Sequence, residues 1–242
     1  MLNQYSLLPD DCILKFDRID IWQYPLLADN PQAKLILSPD EQHRADRFYF
    51  HRHRRRYINA HSLLRLILAR YVNAQAIELE FSIGEKGKPE LINTSMLQFN
   101  LSHSEDMAIL AIGQKYPLGI DLEYFSARPY FGIGKQLFSN EENQALRNAP
   151  STLTPLIFFN LWVQKEAFIK ASGLGLSYPT KQFNVPVLSQ KPETIMDALH
   201  QRTWQMVTFM PEVGCCAALC HDEFVQEIRS ISLSQQHLQT LL

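Results

Sequence analysis

The chain predicts an α+β fold built from two similar halves, on three observations. Helical patterns precede strand patterns up to about residue 116. The same order returns after residue 117. Each half also carries one helix start marked by a capping box, Ser38 with Glu41 and Ser139 with Glu142. The expected division is 1–116 and 117–242, joined near Lys115 to Leu118, and no residue-level repeat accompanies it.

Ile13 to Trp22 alternates like a strand, although neither parity is cleanly apolar. Ser38-Pro39-Asp40-Glu41 starts a helix that should reach Phe50: Ser38 caps it, Pro39 suits its first turn and Glu41 closes the box. A second helix is expected over Arg54 to Val72, with Ile58, Leu63, Leu66, Ile67 and Tyr71 on its apolar side. Short strands follow at Ile77 to Ile83, Leu97 to Leu101, Met107 to Ile112 and Tyr116 to Glu123. Turns are expected at Gly84 to Pro89 and Ser102 to Asp106. The second half predicts helices over Ser139 to Asn148 and Pro155 to Ser172, then strands near Gln182 to Val187, Thr203 to Phe209 and Gly214 to Leu219. A surface loop is expected at Pro186 to Pro192.

The 242 residues are 46% apolar with a formal net charge of −2, enough for a substantial core and too near neutral to bind nucleic acid by bulk charge. Basic residues cluster instead: Arg44, Arg47, Arg52, Arg54, Arg55 and Arg56, with only Asp46 to offset them. Such a cluster favours an anionic partner. The four cysteines form no C-x-x-C, and three sit in the apolar run Gly214 to Cys220, so they read as reduced core thiols. No signal peptide or membrane-length apolar run is evident, and a cytoplasmic, soluble protein is expected.

Two motifs carry the chemistry. Gly119-Ile120-Asp121-Leu122-Glu123 ends an apolar strand pattern, and a two-residue spacing on a strand puts both carboxylates on one face. In the helix, Trp162, Glu166 and Lys170 are four apart and share a face. If strand and helix pack together, three acids and a lysine converge on a point suited to a hard divalent cation and a phosphate. Alone, the acids read as a solvated edge, Glu166 with Lys170 as an ordinary surface pair, Trp162 and Phe168 as core aromatics, and Lys165 as solvated. Asn100-Leu101-Ser102-His103-Ser104 offers hydroxyl and imidazole groups at a strand end that suit a phosphate, and Lys86-Gly87-Lys88-Pro89 adds two lysines without P-loop spacing. Together these groups fit phosphoryl transfer.

The set resembles the Sfp-type 4′-phosphopantetheinyl transferases, whose motifs are similar to Gly119 to Glu123, Trp162 to Lys170, Asn100 to Ser104 and Gly87 to Pro89, over roughly Arg44 to Gly175. The resemblance implies a pseudo-dimer of two similar α/β halves with the active site in the cleft between them. It implies transfer of the phosphopantetheine arm of coenzyme A to a serine of an apo acyl or peptidyl carrier protein (holo-acyl-carrier-protein synthase activity). The other product is adenosine 3′,5′-bisphosphate, and Mg²⁺ is required. Carried over, Asp121, Glu123 and Glu166 would hold Mg²⁺, and Lys170 would meet the pyrophosphate and support the leaving group. His103 and Lys88 would bind coenzyme A phosphates, with Ser102 assisting near the adenosine. Arg56 would meet the 3′-phosphate, with Arg44 or Arg47 near it. Glu166 would activate the carrier serine, directly or through water, with Glu142 (or Glu141, if the alignment slips by one) as the other candidate base. Phe125 to Gly134 would receive the carrier helix. An internal pseudo-dimer implies a monomer. Two other readings are a carrier-binding paralogue without catalysis and a nucleic-acid module built on the arginine cluster. Fatty-acid, polyketide and non-ribosomal peptide carriers all remain open.

Overall fold

The computed structural model describes residues 11–94, 96–189 and 191–241. In chain order its elements are β1 (Arg18–Pro25), α1 (Pro39–Asp46), α2 (His51–Val72), β2 (Phe81–Ile83), β3 (Pro89–Leu91), β4 (Leu97–Ser104), β5 (Met107–Gln114), β6 (Leu118–Tyr124), α3 (Tyr130–Leu137), α4 (Asn140–Asn148), α5 (Thr154–Ser172), β7 (Glu193–Asp197), β8 (Arg202–Phe209), β9 (Cys215–Asp222), β10 (Glu227–Ser232) and α6 (Gln235–Leu241).

Neither parity of β1 is polar because both of its faces are buried. Ile19 and Ile21 enter one apolar layer, while Trp22 and Tyr24 enter another. The same split divides β5, with Ile109 and Ala111 on one side and Leu110 and Ile112 on the other. Four layers result. Helix α2 covers one face of a sheet ordered β10-β1-β5-β4, whose other face packs on a second sheet ordered β6-β9-β8-β7. Helix α5 covers the far side of that second sheet. β2 and β3 form a separate hairpin. This is the two-half α+β architecture anticipated. All sheet pairs are antiparallel except β1 with β10, which runs parallel in register Arg18 to Glu227.

That parallel pair crosses the expected division at residue 116. The tail placed with the second half returns to the first sheet, where Arg229 donates to the buried Asp20 at 2.6 Å and 2.9 Å. Tyr71 donates to the same carboxylate at 2.6 Å. The shared buried layer between the sheets holds Ile120 and Leu122 from β6 and Cys215, Ala217 and Leu219 from β9; Cys215, Cys216 and Cys220 are all buried and form no disulfide. Among the described residues no helix is long and apolar enough to cross a membrane.

Both capping boxes form. α1 stops at Asp46 rather than reaching Phe50, and α2 opens three residues earlier than expected. The strand expected over Gln182 to Val187 is absent. Phe183 and Val185 are buried and Asn184 is exposed, so the alternation is present without a neighbouring strand to pair with. Part of Ile77 to Ile83 is a single helical turn, Ala76–Glu78. The turn placed at Ser102 to Asp106 shrinks to its last two residues, with Glu105 in the left-handed region at φ 47°.

The first box has a measurable consequence. Glu41 accepts from the Ser38 amide at 2.8 Å and from the buried Arg65 guanidinium at 2.7 Å. Burial alone would raise its pKa, but His61, the Ser38 amide and Arg65 outweigh burial and pull it from 4.5 to about 2. A carboxylate depressed in the folded state contributes stability that is complete above its unfolded pKa and is lost as pH falls toward the folded one. Glu41→Gln should therefore cost about 2–3 kcal/mol at pH 7. In urea unfolding the gap from wild type should shrink between about pH 5 and pH 3; a gap constant over that range would contradict the assignment.

Candidate active site

β6 ends at the joint between the two sheets, and its neighbour there is the edge strand β4. Alternate residues of β4 face it. Asn100 accepts from the Ile120 amide at 2.8 Å, Ser102 donates to Asp121 at 2.8 Å, and Ser104 donates to Glu123 at 3.0 Å. Because side chains alternate along a strand, the residue between the two serines faces the other way. His103 accordingly lines a cavity of about 270 Å³ with Phe48, His53, Arg56, Tyr57 and Glu105, and Ser104 reaches its edge. The polar motif therefore serves two places: its even positions order the acids, and its one histidine, with Ser104 beside it, faces a pocket.

α5 crosses β6 on the opposite side. Its sequence is apolar on nearly every face, as expected of a helix packed against a sheet and covered by α3 and α4. Trp162, Glu166 and Lys170 are only half-buried, in contrast to their buried neighbours, and they mark the face turned to the acids. Lys170 Nζ bonds Asp121 Oδ1 at 2.6 Å, Ser102 Oγ at 3.1 Å and the Ile120 carbonyl at 3.1 Å. The two motifs and the serine of β4 thus meet at one ammonium. Gly119 permits that approach. A Cβ at Gly119 would lie 2.1 Å from the Ala167 carbonyl oxygen and 2.4 Å from the Ala171 amide nitrogen, so only a residue without one lets the helix backbone touch the strand.

The acids feel one another. Glu166 is raised by burial first, then by Asp121 and Glu123, with Lys170 opposing. Glu123 is raised by burial, against the pull of Arg128. Asp121 is buried, and its Oδ2 has no hydrogen-bond partner among the described residues. The expected convergence is incomplete, however. Among the described residues no group of three His, Cys, Asp or Glu side chains stands close enough to share an ion. Two of the acids are instead held by protein cations: Lys170 holds Asp121, and Arg128 holds Glu123 at 3.2 Å. Arg128 lies in the loop before α3 and belongs to no spaced motif, so sequence reasoning missed it. The only signal was a basic residue five positions beyond Glu123.

The remaining predicted residues fall in three groups. Arg56 lines the first cavity and bonds Glu105 at 2.7 Å and Asp106 at 2.9 Å. Arg44 lies over the Tyr57 ring at 5.4 Å, while Arg47 caps α1 in solvent, outside the cavity wall. Lys88 and Lys170 line a second cavity of about 240 Å³ with Gly87, Pro89, Asn100 and Gly175. Lys88 donates to the carbonyls of Leu118 and Lys170 at 2.8 Å and 3.2 Å, and its burial lowers its pKa to about 8. His103 keeps surface open to the pocket yet is ringed by protein, and that desolvation, with His61, Lys170 and Arg56 nearby, lowers its pKa. Ser102 lines neither cavity; it is buried between Lys170 and Asp121.

Two expectations need correction. Glu142 is not free for proton transfer. Its carboxylate accepts from the amides of Ser139 and Val185, at 2.8 Å and 2.7 Å, and pairs with Lys165 at 2.9 Å. Lys165 is buried rather than solvated, since it faces away from Glu166 and anchors the loop at Thr180. Glu141 is exposed on α4. Phe125 to Gly134 is partly α3, where Tyr130 packs on Phe158 while Phe131 is exposed.

Comparison with known proteins points the same way. A profile described as "4′-phosphopantetheinyl transferase superfamily" matches residues 117–218, and one described as "4′-phosphopantetheinyl transferase, N-terminal" matches residues 22–115. The 4′-phosphopantetheinyl transferase HetI of Nostoc sp. is 33% identical over 220 residues, covering 87% of this chain and 90% of the relative. The 4′-phosphopantetheinyl transferase Sfp of Bacillus subtilis is 28% identical over 210 residues, covering 86% and 92%. The L-aminoadipate-semialdehyde dehydrogenase-phosphopantetheinyl transferase of Mus musculus is 29% identical over 193 residues, covering 71% of this chain and 62% of the relative.

Proposed function

The chain belongs to the 4′-phosphopantetheinyl transferase superfamily, and from that premise we propose how its cleft carries out the reaction. It is an enzyme that moves a 4′-phosphopantetheine arm onto a carrier protein. The donor in our reading is coenzyme A, and the acceptor is a serine of an apo acyl or peptidyl carrier. The serine oxygen attacks the β-phosphorus of coenzyme A. A P–O bond forms there, the bond to adenosine 3′,5′-bisphosphate breaks, and the serine proton leaves to a base.

The observation that carries this reading is the position of Lys170, which joins Asp121 of β6, Ser102 of β4 and the helical motif of α5 at one ammonium. A cation so placed meets a diphosphate and stabilises charge on the departing bisphosphate. His103 and Arg56, in the wall of the first cavity, receive the 3′-phosphate end, with Arg44 behind Tyr57. Lys88, in the wall of the second, is the further phosphate contact. Ser102 positions Lys170 and Asp121 instead of touching the nucleotide. Glu166 is the base. Its carboxylate accepts no hydrogen bond among the described residues and lies beside Asp121 and Glu123, so it takes the serine proton directly or through an intervening water.

The family implies Mg²⁺, and the donor chemistry suits one, although the three acids would have to draw closer together than they stand here to share it. Asp121, Glu123 and Glu166 are hard oxygen donors, two of them desolvated, and Asp121 Oδ2 is a buried acceptor without a partner among the described residues. When bound, the ion would neutralise pyrophosphate charge and polarise the phosphoryl group. We propose a cytoplasmic monomer, since the pairing of halves that builds a cleft already lies within one chain. The nucleic-acid reading loses ground because Arg54, Arg55 and Arg56 bond Phe48, Asp106 and Glu105 within the fold. Asp121, Glu123, Glu166 and Lys170 are all present, which favours an active enzyme over an inactive paralogue.

Intact-mass spectrometry of several apo carriers incubated with the protein, coenzyme A and Mg²⁺ tests the reading. A mass gain of one phosphopantetheine is expected on at least one carrier, and unmodified carriers throughout would overturn it. Arg56→Ala should weaken coenzyme A about tenfold while leaving dephospho-coenzyme A nearly unchanged, because a charge-assisted contact to the 3′-phosphate is lost. Equal losses for both would remove Arg56 from that phosphate.

A further inference from the structure

Arg128 is built into the site by more than its ion pair. Its guanidinium lies 5.4 Å from the Phe159 ring centre and 5.7 Å from that of Trp162, one from each of two successive turns of α5. The same guanidinium donates to Glu123 Oε2 at 3.2 Å, and its Nε donates to Ser126 Oγ at 3.2 Å. An arginine on an aromatic shelf, tethered at its own loop, keeps its charge at a fixed place without the entropy loss of a free surface side chain. Trp162 thereby gains a purpose beyond packing, because it links the helical motif to the second acid of the strand motif through Arg128.

Two like charges cannot share one carboxylate at little cost. A divalent ion bound by Glu123 must displace the arginine from Oε2 or bind beside a fixed positive charge in a half-buried site, where such repulsion is poorly screened. We infer that Arg128, seated on Phe159 and Trp162, is a resident competitor for Glu123, so that divalent metal alone binds weakly and loads fully only with coenzyme A. The coenzyme supplies the coupling. Its pyrophosphate brings negative charge that gives the guanidinium a second partner and the metal further oxygen ligands, so each cation gains where previously one excluded the other. This rests on the reading of Asp121, Glu123 and Glu166 as the metal acids.

The test uses Mn²⁺ as the probe, with binding followed by the loss of the free-ion electron paramagnetic resonance signal. The proteins are wild type, Arg128→Gln and Arg128→Lys, each with and without coenzyme A. Arg128 is partly exposed, and matching thermal melts would show that the variants are folded. Without coenzyme, Arg128→Gln should bind Mn²⁺ about tenfold more tightly than wild type, and the improvement conferred by coenzyme A should shrink by a similar factor. Arg128→Lys, which keeps the charge, should stay near wild type. Unchanged or weaker binding in Arg128→Gln would overturn the proposal and leave Arg128 as an anchor of Glu123. Equally tight binding in Arg128→Lys would also overturn it, since the charge would not be the cause. If neither wild type nor any variant captured Mn²⁺ even with coenzyme A, the metal assignment would fall, and this inference with it.

Discussion

Asp121→Ala is expected to abolish transfer, by at least about a hundredfold, while the fold persists. The residue is 6% exposed, and both its carboxylate oxygens matter. Oδ1 takes the Lys170 ammonium and the Ser102 hydroxyl, and Oδ2, buried and without a partner among the described residues, suits a cation. Removing the carboxylate takes away a metal donor and frees Lys170 from its 2.6 Å anchor in the same stroke. Structure should survive because Lys170 keeps two other oxygens, from Ser102 and Ile120, and remains partly exposed to water. A modest fall in melting temperature is therefore expected. The assay is carrier mass gain at ordinary Mg²⁺, and normal turnover by the variant would remove Asp121 from the metal site.

Gly119→Ala should be damaging through a different route. The added methyl would stand 2.1 Å from one backbone atom of α5 and 2.4 Å from another. Neither can rotate away as a side-chain tip would, so strand and helix must separate. Overpacking of this kind costs on the order of 3 kcal/mol or more. The separation also carries Glu166 and Lys170 away from Asp121 and Glu123, so transfer should fall by about a hundredfold in whatever fraction folds. Gly132→Ala is the control: its new methyl would meet only the Pro129 Cβ at 3.9 Å, and stability should be nearly unchanged. A Gly119→Ala protein that melted with wild type and turned over normally would show that the contact can relax.

Where the chain punctuates itself, the sequence was easy to read. Ser38 and Ser139 each bring a glutamate three residues later, and local hydrogen bonds decide both helix starts without help from the rest of the fold. Motif spacing likewise placed Asp121 with Glu123 and Glu166 with Lys170. What spacing could not supply was the third dimension. The edge strand β10 has only Ile231 fully buried, so it shows no clear alternation and exists because β1 offers a ladder. α3 contains two glycines and reads as a loop until Tyr130 finds Phe158 and Phe159. Lys165 and Glu166 are adjacent letters with opposite fates, one locked to Glu142 and the other facing the cleft, because successive helical residues point about 100° apart. Arg128 sits in an irregular loop, where no period exists to reveal it.

The return of β10 to the first sheet governs how the chain can be made. Arg229 and its partner Asp20 are 209 positions apart, so β1 emerges from the ribosome long before the strand that completes its rim. At ordinary elongation rates that interval is on the order of 10–40 s, during which β1 offers an unpaired edge. The nascent amino-terminal half is thus vulnerable to aggregation until the last segment is translated. Variants that slow translation late in the message should lower soluble yield without altering the finished enzyme.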